Sequence, residues 1–529
     1  MNRDTLGKNI GMASLIMMGS VFLSRVIGLF REMAIAPIGG TSGDVDAYQI
    51  AFIIPDILNH VLASGFLSIT FIPIFAAYLS KKDESNGWQI FSIILNTFGA
   101  LLIASIVICM MFTPSLVAAI APGIEDERTF KLAVRMTRII LPAQFFFFCG
   151  GLFMAVQFAK KQFFIPAMAP LVYNLGIIIG GLSLGSWLGM EGFAWGVLLG
   201  ACAGNFFIQL AGARKAGMVY RLVFSVTHPD FRRYVLITLP FMLGLTMTFS
   251  SEFIFKFFGS YLDPGSIAVL GYDFRIMAIL VGLFGQAVGT ATYPFMAQLA
   301  ARQQIDELNR LLNQTIRMLF LVIPFSLLFC ILRFEIVFIL FQRGAFDARS
   351  TQMAADVLPF LMIGTVAFTC QTIVTRGYFA LQNTWFPAIV GTMTVLASLP
   401  VYVLFTRYWG AKGLALGISI CTCLQTLLLF ELWNRKSRNL EKRSVYLSLI
   451  KISIVSLLTA AATYPLVKFL YTLFGWKQGD MGLIQAIAVC IIISTAFITL
   501  LSLLATLFRI KEISVLYRRI IKHHQPSKA

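Results

Sequence analysis

Charge is scarce in this 529-residue chain: Asp, Glu, Lys and Arg make up 12% of it, where an average soluble domain carries roughly 25%. Apolar residues make up 58% and the mean hydropathy is +0.82, which excludes an ordinary soluble fold. Ten-residue stretches of alternating hydrophobicity are lacking too, so a membrane β-barrel is excluded. There is no GxxxxGK[ST] phosphate loop, no HExxH and no nucleophile elbow. ATP hydrolysis by the chain is therefore not expected, and no catalytic residue is assigned. The eight cysteines (Cys109, Cys149, Cys202, Cys330, Cys370, Cys421, Cys423 and Cys490) fall inside apolar segments. Neither a disulfide framework nor a metal site follows, and Cys421 and Cys423, at i,i+2 on a helix, point apart. They read as small core residues.

What the chain does have is long apolar runs. A window of about 19 residues places helices at 9–38, 46–80, 88–113, 130–159, 163–187, 191–213, 231–261, 266–300, 307–332, 351–380, 384–406, 411–434, 446–472 and 482–508. The reading is an all-α polytopic membrane protein with about 14 transmembrane helices. The first run meets Arg25 without a small-residue cleavage site, so it is an uncleaved span and not a signal peptide. An apolar piece within 333–350, IVFILF, is expected to lie in the membrane interface.

The formal charge of +18 could suggest nucleic acid, but the basic residues follow topology. Counted over loops and tails, about 24 Lys and Arg fall on the side of the termini and about seven opposite, which predicts both termini in the cytoplasm. The tail from Arg509 to Lys528 reads as a membrane-surface segment drawn to anionic headgroups. No nucleic-acid partner is expected.

The chain also repeats itself. FIPIFAAYL around Pro73 matches TYPFMAQLA around Pro294, and 294 − 73 is 221. FIPAMAP around Pro166 and WFPAIVG around Pro387 keep that offset, as do Gly192 and Gly413, Gly196 and Gly417, and Gly123 and Gly344. One offset held across helices and loops indicates two six-helix pseudo-repeats of the same orientation. Such halves are related by an axis along the membrane normal, with substrate expected between them. The predicted divisions are 1–220 and 221–440 for the two lobes and 441–529 for two additional C-terminal helices and the basic tail.

The first hairpin, 9–80, concentrates the candidate residues. Arg25 and Arg31 flank Gly28 in SRVIGLFRE, and six residues on a helix set them some 120° apart. An arginine at membrane depth costs roughly 3 to more than 10 kcal/mol unless it faces protein, water or a ligand. For Arg31 the plainer alternative is snorkelling with Glu32 as partner; for Arg25 it is an ion pair with a neighbouring helix. In the second half Arg275 follows Asp273 by two residues on the eighth helix, the second span of its half, and is expected to face the same space between the halves. Clustered guanidiniums suit a diphosphate, whose oxygens they grip in a fork. Asp46 opens the second helix, where the bland role is stabilisation by its own helix dipole. Asp56, Asn59 and His60 follow Pro55. Glu252 and Lys256, at i,i+4, can neutralise each other, and Lys131, Arg135 and Arg138 form a stripe suited to solvent or headgroups.

SRVIGLFRE, DAYQIAFIIPDIL, GFLSITFIPIFAAYLSKK, FIPAMAP and the FQRGAF loop together resemble the MurJ (MviN) family, lipid II flippases of the multidrug/oligosaccharidyl-lipid/polysaccharide exporter superfamily. The resemblance implies a transporter, not an enzyme. It implies movement of an undecaprenyl-diphosphate-linked peptidoglycan precursor from the inner to the outer leaflet by alternating access, in cell wall biogenesis. It also implies a cationic cavity with Arg25, Arg31 and Arg275 at matching positions, Asp46 at an acidic position, and a lipid-tail groove on the last two helices. Where the family usually has a basic pair and then an acidic residue in the second helix, this chain reads Asn59, His60 and Ser64, so its headgroup contacts differ there. Relatives with a sodium site use acidic residues in helices 7 and 11; the eleventh span here has no carboxylate, and no such site is expected. Partners implied are the lipid-linked precursor, membrane lipids and cell-wall synthesis machinery; no cofactor is implied beyond a membrane potential or ion gradient. The alternatives are a flippase for another polyprenyl-linked saccharide, a drug or cation antiporter on the same scaffold, and a membrane-embedded glycosyltransferase, which would call for acidic metal-binding motifs in loops that are short here.

Overall fold

The computed structural model of the chain describes residues 3–60, 66–244, 246–475, 482–508 and 510. Ser64 and nearly all of the basic tail lie outside the described residues. Every regular element among those described is helical.

The predicted spans fall on helices in chain order, but many are broken. Arg3–Gly39, Glu84–Met111, Phe164–Leu188, Lys442–Leu473 and Leu483–Leu507 each run uninterrupted. The second span is divided into Gly43–Ala51, Ile53–Leu58 and Phe66–Ser80; Pro55 sits in the first turn of the middle piece, where its missing N–H costs nothing. The fourth divides into Glu127–Ile140 and Ala143–Ala159 around Pro142. The tenth bends by 44° between Ala348–Met362 and Thr365–Ala380. Spans 11 and 12 form one run, Trp385–Lys436, broken at Gly410. Among the described residues, 9 helices are long and apolar enough to cross a membrane, or up to 10 counting the bent pair as one. IVFILF belongs to the helix Arg333–Phe341, with Val337, Phe338 and Phe341 buried against protein.

The 221-residue offset recurs in backbone geometry. Lys82 and Gln303, both at φ 58, are separated by it, as are Lys161 (φ 60) and Gln382 (φ 57), Gly189 (φ 57) and Gly410 (φ 58), and Gly217 (φ 83) and Arg438 (φ 50). Asp126 and Asp347 keep the same spacing, and each caps the helix that follows it. Turns and caps that repeat with the sequence are what a duplicated six-helix unit requires.

The helices gather into two compact units, 1–268 with 343–346 and 269–342 with 347–529. In the first, Phe164–Leu188 and Glu191–Ala201 approach so closely that a Cβ on Gly180 would come 2.4 Å from the Cα of Gly196. Phe98 packs against Phe231 and Tyr234 with ring centroids 5.7 and 5.3 Å away, and Tyr78 donates to Asp230, which ties Pro229–Gly244 to this unit. The FQRGAF loop meets the end of the first helix, where the Ala345 amide donates to the Pro37 carbonyl at 2.8 Å.

The second unit has a polar seam. Trp433 Nε1 donates to Asn309 Oδ1 at 2.9 Å, and Asn313 and Asn439 exchange amide hydrogen bonds at 3.0 and 2.9 Å. The two C-terminal helices outside the repeat dock here. Lys442–Leu473 packs on Val322–Ile331, Leu483–Leu507 packs on Arg333–Phe341, and Tyr471 donates to the buried Glu335.

Candidate functional site

The first helix meets the fifth span along one face. Ser20 Oγ donates to the Ala167 carbonyl at 2.5 Å, Asn174 Nδ2 donates to Ser24 Oγ at 3.3 Å, and an Arg31 Nη donates to Asn174 Oδ1 at 3.2 Å. Spacings of four and seven residues keep Ser20, Ser24 and Arg31 on that face. The other Nη of Arg31 pairs with Glu32 Oε1 at 2.7 Å, with the side chains 16% and 2% exposed. Arg31 is thus not a snorkelling residue. It is a mostly buried cation neutralised by its neighbour and oriented by Asn174, with its Nε left without a partner. In low dielectric such a pair is held by complete hydrogen bonding more than by net attraction.

Arg25 stands one residue beyond Ser24, about 100° around the helix. It is exposed and makes no ion pair or hydrogen bond among the described residues. Gly28, on the same side one turn later, has no atom within 4 Å of where a Cβ would sit. This face of the helix is open within its unit, unlike the Ser24 and Arg31 face.

Asp46 is buried and does not serve its own helix. Oδ2 accepts from the Gly265 amide at 2.6 Å and Oδ1 from the Ala268 amide at 2.7 Å. It therefore caps Ser266–Leu280, the helix that carries Asp273 and Arg275. Asn59 closes Ile53–Leu58, its amide donating to the carbonyls of Asp56 and Pro55. Asn59 and His60, both half-buried, lie in a π-helical turn, and 60 + 221 is 281, where the π-helical turn Val281–Gln286 begins. Such turns gather at functional positions in helices.

In the second unit Arg275 is half-buried. Asp273 is fully buried, and neither carboxylate oxygen has a hydrogen-bond partner among the described residues. Sequence reasoning missed a further cation. Arg376, half-buried in Thr365–Ala380, donates to Gln286 Oε1 at 3.2 Å and to Thr290 Oγ1 at 3.5 Å, and has no carboxylate partner among the described residues. Its Nη would meet a Cβ on Gly289 at 2.4 Å. The available signal was an arginine inside the apolar run QTIVTRGYFA, masked by its nearness to the end of the span.

The remaining charged candidates are occupied. Lys131 pairs with Glu127 at 2.6 Å, Arg135 with Glu191 at 3.1 Å, and Lys256 with Glu252 at 4.0 Å. Among the described residues no three His, Cys, Asp or Glu side chains gather to hold a metal ion. The arrangement offers guanidiniums within apolar spans, suited to holding an anion.

A family model described as "Lipid II flippase MurJ" matches residues 35–486. A Burkholderia cenocepacia protein named lipid II flippase MurJ is 29% identical over 447 residues, covering 83% of this chain and 85% of the relative. A Bdellovibrio bacteriovorus protein named probable lipid II flippase MurJ is 25% identical over 439 residues, covering 81% and 83%. Among solved structures, a lipid II flippase MurJ in an inward closed conformation aligns with TM-score 0.74 at 23% identity, over 93% of this chain and 99% of that one. A multidrug resistance MATE family transporter of the MOP superfamily aligns with TM-score 0.67 at 14% identity, over 79% and 96%. Both structural likenesses speak for the fold.

Proposed function

The chain belongs to the lipid II flippase MurJ family, and from that membership we propose how its own residues handle the substrate. It is a multi-pass protein of the bacterial inner membrane and a transporter, not an enzyme. Its substrate is the lipid-linked peptidoglycan precursor, moved from the inner to the outer leaflet by alternating access. The diphosphate is held by Arg25, Arg31 and Arg275, with Arg376 as an added cation of the second unit. Asp46 fixes the start of the helix that bears Arg275, and Asn59, His60 and Ser64 contact the headgroup.

The observation that carries this reading is Arg25. A guanidinium in an apolar helix, exposed and with no carboxylate partner among the described residues, is retained only where it meets water or an anion. The same cations argue against a cation antiporter, because they would repel its cargo. A different polyprenyl-diphosphate saccharide would meet the same arginines and differ at Asn59, His60 and Ser64.

The reading includes cytoplasmic termini, lobes at 1–220 and 221–440 followed by the 441–529 segment, contact with cell-wall synthesis machinery, and drive from a membrane potential or ion gradient without a bound cofactor. Rescue of a flippase-depleted bacterium, paired with measurement of lipid II exposed on the outer leaflet, tests it. Arg25→Ala and Arg275→Ala are each expected to abolish rescue while inserting normally. Wild-type growth of both variants would refute the assignment, and rescue without lipid II exposure would point to another lipid-linked saccharide.

A further inference from the structure

The segment 217–228, between Ile208–Lys215 and Pro229–Gly244, belongs by sequence to a loop on the side of the termini and contains Arg221. Its contacts fasten it along the side of Glu84–Met111. The Arg221 amide donates to Ser92 Oγ at 3.0 Å, Asn96 Nδ2 donates to the carbonyls of Arg221 and Val223 at 3.0 Å each, and Tyr220 Oη donates to Asn96 Oδ1 at 2.8 Å. Ser92 and Asn96 lie roughly 12 and 18 Å along Glu84–Met111 from its start, past the apolar turn of Trp88, Ile90 and Phe91. Irregular backbone at such depth needs protein partners for its polar groups, and Ser92 and Asn96 supply them.

The Arg221 side chain runs back along the same helix. While its backbone is fastened at Ser92 and Asn96, its guanidinium reaches back to Ser85 Oγ at 3.3 Å, seven residues or roughly 10 Å nearer the helix start. A basic side chain that stretches from a deep backbone toward the end of a span is snorkelling. Meanwhile Leu222, Phe224 and Val226 are 75%, 58% and 64% exposed, alternating with half-buried Val223 and Ser225. Three large apolar side chains on one side of an irregular segment suit acyl chains and not water.

Most of the charge around this strap is positive, and Glu84, beside Ser85, is paired with Lys160 at 3.0 Å. Arg221 makes no ion pair among the described residues, Arg214, Lys215, Arg232 and Arg233 flank it with exposed side chains, and Asp230 is engaged by Tyr78. We infer that 217–228 is a bilayer-embedded strap that binds an anionic phospholipid, with Arg221 on the headgroup phosphate and Leu222, Phe224 and Val226 against the acyl chains.

Hydrogen exchange of the full chain in lipid nanodiscs tests this. With phosphatidylglycerol added to phosphatidylcholine, amides of 219–227 are expected to exchange about fivefold more slowly than in phosphatidylcholine alone, the effect of one basic residue at an anionic surface. Arg221→Gln is expected to abolish that difference and leave the phosphatidylcholine rate unchanged. Asn96→Ala is expected to speed exchange of the strap in both lipids, while amides of Phe164–Leu188 stay protected and show that the variant is folded. Equal exchange in the two lipids, or strap protection that appears only when a membrane protein extract is added, would overturn the inference.

Discussion

The carboxylate of Asp46 accepts a hydrogen bond from the backbone amide of Gly265, 219 residues further along the chain. Its second oxygen takes the Ala268 amide, so one side chain satisfies two of the four donors that open a helix. Gly265 is at φ +92, and a Cβ there would come 2.2 Å from the Thr41 carbonyl oxygen. Asp46→Ala leaves two buried amides without acceptors, at about 1–3 kcal/mol each, whereas Asp46→Asn keeps one. Thermal stability in detergent and rescue of growth are both expected to fall in the order wild type, Asp46→Asn, Asp46→Ala. Gly265→Ala is expected to fail as badly as Asp46→Ala; equal rescue by all three variants would show that the cap is dispensable.

Arg31 and Glu32 separate a structural from a transport role. Arg31→Met removes the cation that faces a buried carboxylate, a loss of about 3–5 kcal/mol, and is expected to lower the amount of inserted protein. Arg31→Met with Glu32→Met replaces the pair by apolar side chains, which is often neutral, and insertion is expected to recover. Flipping is not expected to recover, because the diphosphate still lacks its guanidinium. Full rescue by the double variant would leave Arg31 as a packing residue.

Gly189 and Gly410 test the internal repeat. Their backbones are nearly superimposable, φ 57 with ψ −132 and φ 58 with ψ −137, and neither has an atom within 4 Å of an added Cβ. Substitution by Ala therefore costs conformational strain alone, about 1–3 kcal/mol. Equal and additive losses of thermal stability are expected for Gly189→Ala and Gly410→Ala. A loss confined to one of them would mean that the two turns are not equivalent.

Asp126 and Asp347 make the same comparison with pH. The hydroxyl and amide of Thr129 hold the Asp126 carboxyl below the usual carboxylate range, and the Ser350 amide does so for Asp347. A lowered value in the folded state means stability that is present above the unfolded value, about 4, and lost as pH falls through the folded one. First-turn amides of Glu127–Ile140 and Ala348–Met362, corrected for intrinsic rates, are expected to lose protection together on acidification. Asp126→Asn and Asp347→Asn should each flatten that dependence in its own helix only.

Much of this was legible in the sequence, for identifiable reasons. Apolar runs located the helices because length and hydropathy decide a membrane span, and proline and glycine spacing disclosed the repeat because backbone breaks tolerate few residues. The pairing of Lys82 with Gln303 was hidden, since the two side chains differ and share only a turn geometry, whereas Asp126 and Asp347 keep residue type and offset together. Asp46 was legible as a helix-start carboxylate, but which helix it starts depends on tertiary placement. Likewise, nothing in the neighbours of Arg221 reveals that Ser92 and Asn96 fasten its backbone along Glu84–Met111.

Gly289 and Arg376 give the last test, because one acts through the other. A methyl group on Gly289 would sit 2.4 Å from an Arg376 Nη, the far end of a flexible side chain that can move aside. Gly289→Ala is therefore expected to fold, with thermal stability within about 1 kcal/mol of wild type, while pushing the guanidinium off Gln286 and Thr290. Arg376→Lys keeps the charge but loses the planar fork that spans both acceptors. Lipid II exposure on the outer leaflet is expected to drop for both and to drop further for Arg376→Ala. Since the glycine works only by giving the guanidinium room, adding Gly289→Ala to Arg376→Ala should cost nothing more. Losses that instead add would show that Gly289 matters for helix packing on its own, and the placement of Arg376 against the π-helical turn would lose its functional meaning.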